Sequence, residues 1–193
     1  MKKSLYLLIL FIALFMAACS QKTGLDSNTQ DLPSVNVDMI NANNEQNKDI
    51  MGDWLYFAYG SNMNSDRMQD RCGADNFTDL GKANLVGYDF YFYGKGHANI
   101  KLYASKMIEG VLWNINEECL KKLDQVEGYP NVYQRQAVKV NWQNKNILAQ
   151  VYIVEKDNTR SKPSAEYLQT VLTGAQEHNL SENYIQKIKA LAE

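Results

Sequence analysis

Apolar residues are sparse and aperiodic between positions 20 and 52, whereas from Trp54 onward they recur with the short periods of strands and helices. The run W-L-Y-F-A-Y at 54–59 fits a buried strand. Further strands are expected at 84–93 (N-L-V-G-Y-D-F-Y-F-Y), 108–115 (I-E-G-V-L-W-N-I), 132–142 (V-Y-Q-R-Q-A-V-K-V-N-W) and 147–154 (I-L-A-Q-V-Y-I-V). The last two flank N-K-N at 144–146, which reads as a hairpin turn. Helical spacing predicts helices at 64–71, 117–126, 164–178 (after Pro163) and 181–191, the last with Ser181 as its N-cap. Hairpin-linked strands with helices gathered late favour an α+β domain whose sheet curls toward a small barrel over a doubly wound parallel sheet.

The first 19 residues lie outside that pattern. Lys2 and Lys3 precede an apolar run from Leu5 to Met16, then Ala17, Ala18 and Cys19. The run is short for a membrane span, and small residues before a cysteine suit signal cleavage. M-A-A-C-S resembles a bacterial lipoprotein box, although Met16 replaces the more usual Leu. It predicts a signal peptide at 1–19, an exported protein on the periplasmic or cell-surface side, and a membrane anchor through lipidated Cys19. The alternative is an ordinary secretory signal that happens to contain a cysteine. Residues 20–52, rich in Asn, Gln, Asp and Ser, read as a disordered tether, and 53–193 as the domain.

Composition narrows the function. The chain has 193 residues, 45% hydrophobic and 22% charged, with a formal net charge of -2, which suits one compact domain and argues against a nucleic-acid partner. Nothing in it identifies a protein partner. Cys72 and Cys119 could pair outside the cytoplasm or stay buried and free. The two histidines, His97 and His178, have no metal-ligand spacing, and no phosphate-cradling Gly-Lys loop occurs. Ser61 lacks the second glycine of a hydrolase elbow.

Two stretches carry chemistry. In A-Y-G-S-N (58–62) a strand ends where a helix is expected to begin. Such a corner leaves backbone N–H groups unpaired, and with the helix's positive end these could seat a carboxylate or phosphate, with Gly60 permitting the backbone angle and close approach. The plainer reading is that Ser61 or Asn62 only caps the helix. In L-K-K-L-D-Q-V-E-G-Y-P (120–130), Leu120, Leu123 and Glu127 share one helical face, so a carboxylate sits on the apolar side just before Gly128, a natural left-handed terminator. That placement suits a proton-transfer group. The alternative is a frayed end whose Glu127 turns to solvent or pairs with Arg135.

Y-F-A-Y-G-S-N-M, then G-H-A-N-I, E-G-V-L-W-N-I, L-D-Q-V-E-G-Y, V-Y-Q-R and E-Y-L-Q-T-V-L-T-G-A-Q-E-H-N-L resemble, in order and spacing, the γ-glutamylcyclotransferase family (AIG2-like) over about residues 54–191. The resemblance implies a small mixed β-barrel with flanking helices, and conversion of a γ-glutamyl amine or amino acid to 5-oxoproline with release of the amine. It implies no cofactor. It also implies Glu127 as general acid/base and a substrate loop of Tyr56, Phe57, Ala58, Tyr59, Gly60, Ser61 and Asn62, with Tyr167 reaching the substrate. Tyr133 and Tyr152 either line the same cavity or are core residues. One rival is a non-catalytic, lipid-anchored module capturing an anionic ligand in that cavity. Another is a surface interaction lipoprotein whose barrel is scaffold and whose cavity is filled or occluded.

Overall fold

The computed structural model describes residues 54–155 and 159–193, so the expected signal peptide, Cys19 and the expected tether lie outside the described residues. Five strands, β1 (Trp54–Ala58), β2 (Phe77–Tyr93), β3 (His97–Ile115), β4 (Gln134–Trp142) and β5 (Lys145–Ile153), close a barrel in the order β1-β3-β2-β4-β5. All neighbours are antiparallel except β1 and β5, which meet in parallel at Tyr56↔Gln150. The mixed barrel with flanking helices is the architecture that the sequence implied.

The strands β2 and β3 are longer than the apolar runs suggest. Their outer parts carry Asp79, Gly81, Lys82 and the segment from Lys101 to Lys106, where the hairpin faces water and has no apolar stripe to announce it. Register shifts fall at Asp79/Gly81 and Val86/Tyr88, where Gly81 and Gly87 take φ of 83° and 86°. The β4–β5 turn is Gln143–Asn144, both with positive φ, rather than 144–146, because a two-residue turn of this hand matches the twist of the strands.

Four helices flank the barrel: α1 (Ser65–Cys72), α2 (Glu117–Glu127), α3 (Ala165–Glu177) and α4 (Glu182–Ala192). Each begins at a side-chain cap, respectively Asn64, Asn116, Ser164 and Ser181. Cys72, at the end of α1, is disulfide-bonded to Cys119 in the first turn of α2. Helix α3 seats on the corner after β1 because residue 174 is glycine: a Cβ there would stand 2.4 Å from the Asn64 nitrogen.

Helix α4 is fixed to the sheet by charge. Glu109 accepts from the Ser181 backbone N–H at 2.7 Å and hydroxyl at 2.6 Å and pairs with Lys82 at 2.7 Å. Burial alone would raise the Glu109 carboxyl, but the Lys82 and Ser181 hydrogen bonds outweigh it and hold the group below its ordinary value. A carboxyl held low when folded binds protons more readily when unfolded. Its stabilisation is therefore full above the ordinary value of 4.5 and is lost as pH falls through the lower folded value. Melting temperature measured from pH 7 to pH 3 should accordingly fall more steeply for the wild type than for Glu109→Gln, and parallel curves would contradict this.

Candidate active site

The end of β1 and the two turns that follow it build one wall of a cavity of about 250 Å³. After Ala58 the chain leaves the sheet and forms a single 3-10 turn, Ser61–Met63, before α1 begins. The helix is capped by Asn64, not by Ser61 or Asn62, and its exposed start is already occupied: Glu177 of α3 accepts from Asn64 Nδ2 at 2.9 Å and from the Ser65 N–H at 3.1 Å. The expected α-helix N-terminus is therefore not what faces the cavity. Instead the 3-10 turn does. Its ladder starts with Met63 N–H to Gly60 O (3.0 Å), placing the N–H groups of Gly60, Ser61 and Asn62 ahead of it, as the first donors of any helical turn are.

Gly60 has φ -117°, a conformation open to any residue, so its backbone angle is not the reason for glycine. Space is the reason. A Cβ at Gly60 would stand 2.9 Å from the Ala98 Cβ and 3.2 Å from the Tyr167 hydroxyl.

The opposite wall is the C-terminus of α2. Gly128 ends that helix in the left-handed conformation (φ 66°, ψ 29°), as its place after Glu127 predicted. Glu127, 16% exposed, lines the cavity and is held by two groups on the other wall. Arg71 Nη1 donates to its Oε1 at 2.7 Å and Asn62 Nδ2 at 3.1 Å. Both bonds land on Oε1, so Oε2 has no protein donor among the described residues. Arg71 donates also to Asn62 Oδ1 at 2.6 Å, while Asn62 Nδ2 donates to the Tyr56 hydroxyl at 2.8 Å and the Asn62 carbonyl accepts from Trp113 Nε1 at 3.0 Å. Asn62 is thus the knot that ties the turn to Glu127. Arg135 is not the partner of Glu127; it pairs with Asp124 at 3.6 Å and lies over the Tyr129 ring.

Phenols complete the lining. Tyr56, Tyr59, Tyr93, Tyr133, Tyr152 and Tyr167 all border the cavity. Tyr59 donates to the Tyr152 carbonyl, Tyr152 to Asp124 Oδ1 at 2.7 Å, and Tyr133 to the Ala98 carbonyl at 3.1 Å, while Tyr167 accepts from the Ala98 N–H at 3.1 Å. Burial pushes the Tyr59, Tyr133, Tyr152 and Tyr167 hydroxyls above their ordinary value. For Tyr56 burial and then the Glu127 charge do the same. These groups stay protonated and serve as hydrogen-bonding walls rather than as bases.

Of the expected substrate-loop residues, Tyr56, Tyr59, Gly60, Ser61, Asn62 and Tyr167 line the cavity with Glu127. Phe57 and Ala58 do not: their side chains are fully buried in the barrel core. An open cavity bordered by both Gly60 and Glu127 counts against the scaffold reading. Sequence reasoning missed Arg67, Arg71, His97, Val126 and Val132 in the lining. For the two arginines a signal existed, since they stand one helical turn apart in R-M-Q-D-R and so share a face.

Known proteins have the same framework. The sequence model of the AIG2-like family matches residues 107–188. Human gamma-glutamylcyclotransferase is 31% identical over 158 residues, covering 75% of this chain and 84% of that protein. The mouse protein of the same name is 30% identical over 148 residues, covering 72% and 78%. A solved structure of a gamma-glutamyl cyclotransferase superposes with a TM-score of 0.65 at 29% identity, covering 71% of this chain and 86% of that one. This chain belongs to the γ-glutamylcyclotransferase family and is an enzyme of that kind.

Proposed function

We propose that the enzyme cyclises a γ-glutamyl amine or amino acid to 5-oxoproline and releases the amine, with Glu127 as its general acid/base. The observation that carries the reading is the meeting, in one cavity, of a carboxylate with one oxygen free of protein donors and the 3-10 turn that follows Gly60. The turn at Gly60–Asn62 holds the substrate's α-carboxylate, which bends the glutamyl chain so that its α-amine meets its own γ-carbonyl. Glu127 Oε2 takes a proton from the attacking ammonium. The nitrogen–carbon bond of the five-membered lactam forms, and Glu127 passes its proton to the leaving nitrogen and takes the second proton from the now cationic ring nitrogen. The bond from the γ-carbon to the leaving nitrogen breaks, and that second proton follows to the amine, which departs as its ammonium. No water is consumed, and atoms balance as γ-glutamyl amide giving 5-oxoproline plus amine. Asn62 and Arg71 fix Oε1 throughout, so the carboxylate need not reorganise. Compounds whose glutamate amine is acylated are excluded as substrates because they have no nucleophile. The test is the appearance of 5-oxoproline from a panel of γ-glutamyl dipeptides and amines; none from a folded protein would favour the binding-module alternative.

The same reading places the enzyme outside the cytoplasm, anchored to a bacterial membrane through lipidated Cys19. Its supports are the leader sequence and the Cys72–Cys119 disulfide, since such bonds persist in oxidising compartments. Labelling of the expressed full chain with a radioactive fatty acid should be lost in Cys19→Ala; equal labelling would remove the anchor.

A further inference from the structure

We propose that Arg67 reads the leaving group: its guanidinium binds a carboxylate carried by the departing amine and so sets a preference among γ-glutamyl substrates. The inference rests on the cyclotransferase reading and assigns a specificity role within that same cavity.

Arg67 and Arg71 are one turn apart on α1 and both line the cavity. Like charges at this spacing repel unless each is answered. Arg71 is answered by Glu127 and Asn62. Arg67 is not. Its Nε is buried without a hydrogen-bond acceptor, and among the described residues no carboxylate pairs with the group. The Nε itself has no exposure to the cavity, but a guanidinium left without a protein anion is costly, and the place of Arg67 in the cavity lining lets an anion arriving from outside the protein answer its charge.

The charge balance says what kind of acceptor. Arg67 and Arg71 face a single carboxylate in the lining, Glu127, which leaves one guanidinium in excess. The glutamyl half of a substrate brings an α-carboxylate, taken by the Gly60–Asn62 turn, and an α-ammonium, taken by Glu127. A second anion must then come from the leaving half. A leaving α-amino acid carries its carboxylate one carbon from the scissile nitrogen, whereas a plain or polycationic amine offers none. Guanidinium and carboxylate are geometrically matched for paired hydrogen bonds. Val126 and Val132, half exposed at the rim, supply apolar surface for the rest of such a group.

The test uses two substrates that differ by this carboxylate alone, γ-glutamyl-L-alanine and γ-glutamylethylamide, with full-length wild type, Arg67→Met and Arg67→Lys. Met keeps the stem and the helix; Lys keeps the charge. Wild type should favour the alanine compound in kcat/KM, and Arg67→Met should shrink that preference about 10- to 100-fold, as expected for loss of a charge-assisted hydrogen bond. The change should fall mainly on KM, because the carboxylate is bound alike in ground and transition states. Arg67→Lys should retain part of the preference. An unchanged ratio in Arg67→Met, or no wild-type preference, overturns the assignment. If wild type forms no 5-oxoproline from either compound, the cyclotransferase reading has failed by itself. Both compounds are then stable ligands for calorimetric titration. Tighter wild-type binding of the alanine compound, lost in Arg67→Met, still supports the anchor, and equal binding overturns it.

Discussion

Glu127→Gln should lower kcat about 100- to 10,000-fold, the usual range for a well-placed acid–base group, while leaving a folded protein. The reason lies in how Glu127 is held. Its Oε1 accepts from Arg71 and Asn62, and a glutamine carbonyl oxygen can accept from the same two donors. The substitution therefore keeps the carboxylate's shape and tie to α1, removing the charge and the ability to move a proton. Loss of the ion pair costs something in stability, yet both side chains are partly exposed, which limits that cost. Kinetics and thermal unfolding on one preparation separate the effects. A variant within a few-fold of wild type would show that Glu127 is not the proton-transfer group, and an unfolded variant would show that the pairing is mainly structural.

Replacing both Cys72 and Cys119 by alanine should lower stability by about 2–5 kcal/mol, as removal of a native disulfide typically does. For a domain of this size that corresponds to a fall in Tm of roughly 5–20 °C. The bond joins residues 47 apart in sequence and so restricts a long loop of the unfolded chain. It also joins the two helices that meet at the site, α1 carrying Arg71 next to Cys72 and α2 ending at Glu127. Lys122 adds only a hydrogen bond to the Cys72 carbonyl at 3.0 Å across the same junction. Thermal unfolding of the double variant beside wild type checks the expectation, and an unchanged Tm would contradict it.

These devices differ in how far the sequence disclosed them. Helix starts were legible because Pro163 before α3 and Ser181 at the cap of α4 announce themselves locally, and Gly128 marked the end of α2 for the same reason. The apolar cores of β2 and β3 were legible too, but their solvent-facing halves were not, since strand pairing there rests on backbone bonds and Lys-rich residues carry no period. The loop from Tyr56 to Asn62 was found as a unit, yet a strand alternates its faces and then leaves the sheet, so Phe57 and Ala58 face the core. The Arg71–Glu127 ion pair and the cysteine pair belong to a different class. Spacing puts Arg71 and Arg67 on one face of α1, but each pairing depends on where α1 lies against α2, a tertiary fact that no local spacing encodes. Gly60 was expected to permit both a backbone angle and a close approach; its φ of -117° does not demand glycine, and the close approach of the Ala98 and Tyr167 atoms supplies the reason.

If the cavity between Gly60–Asn62 and Glu127 closes a γ-glutamyl chain on itself, mass spectrometry of the products formed from γ-glutamyl-L-alanine by wild type and Glu127→Gln will show it. Wild type should give 5-oxoproline and alanine in equal amounts, and the variant almost none. Release of glutamate instead of 5-oxoproline, or equal product from both proteins, would contradict it.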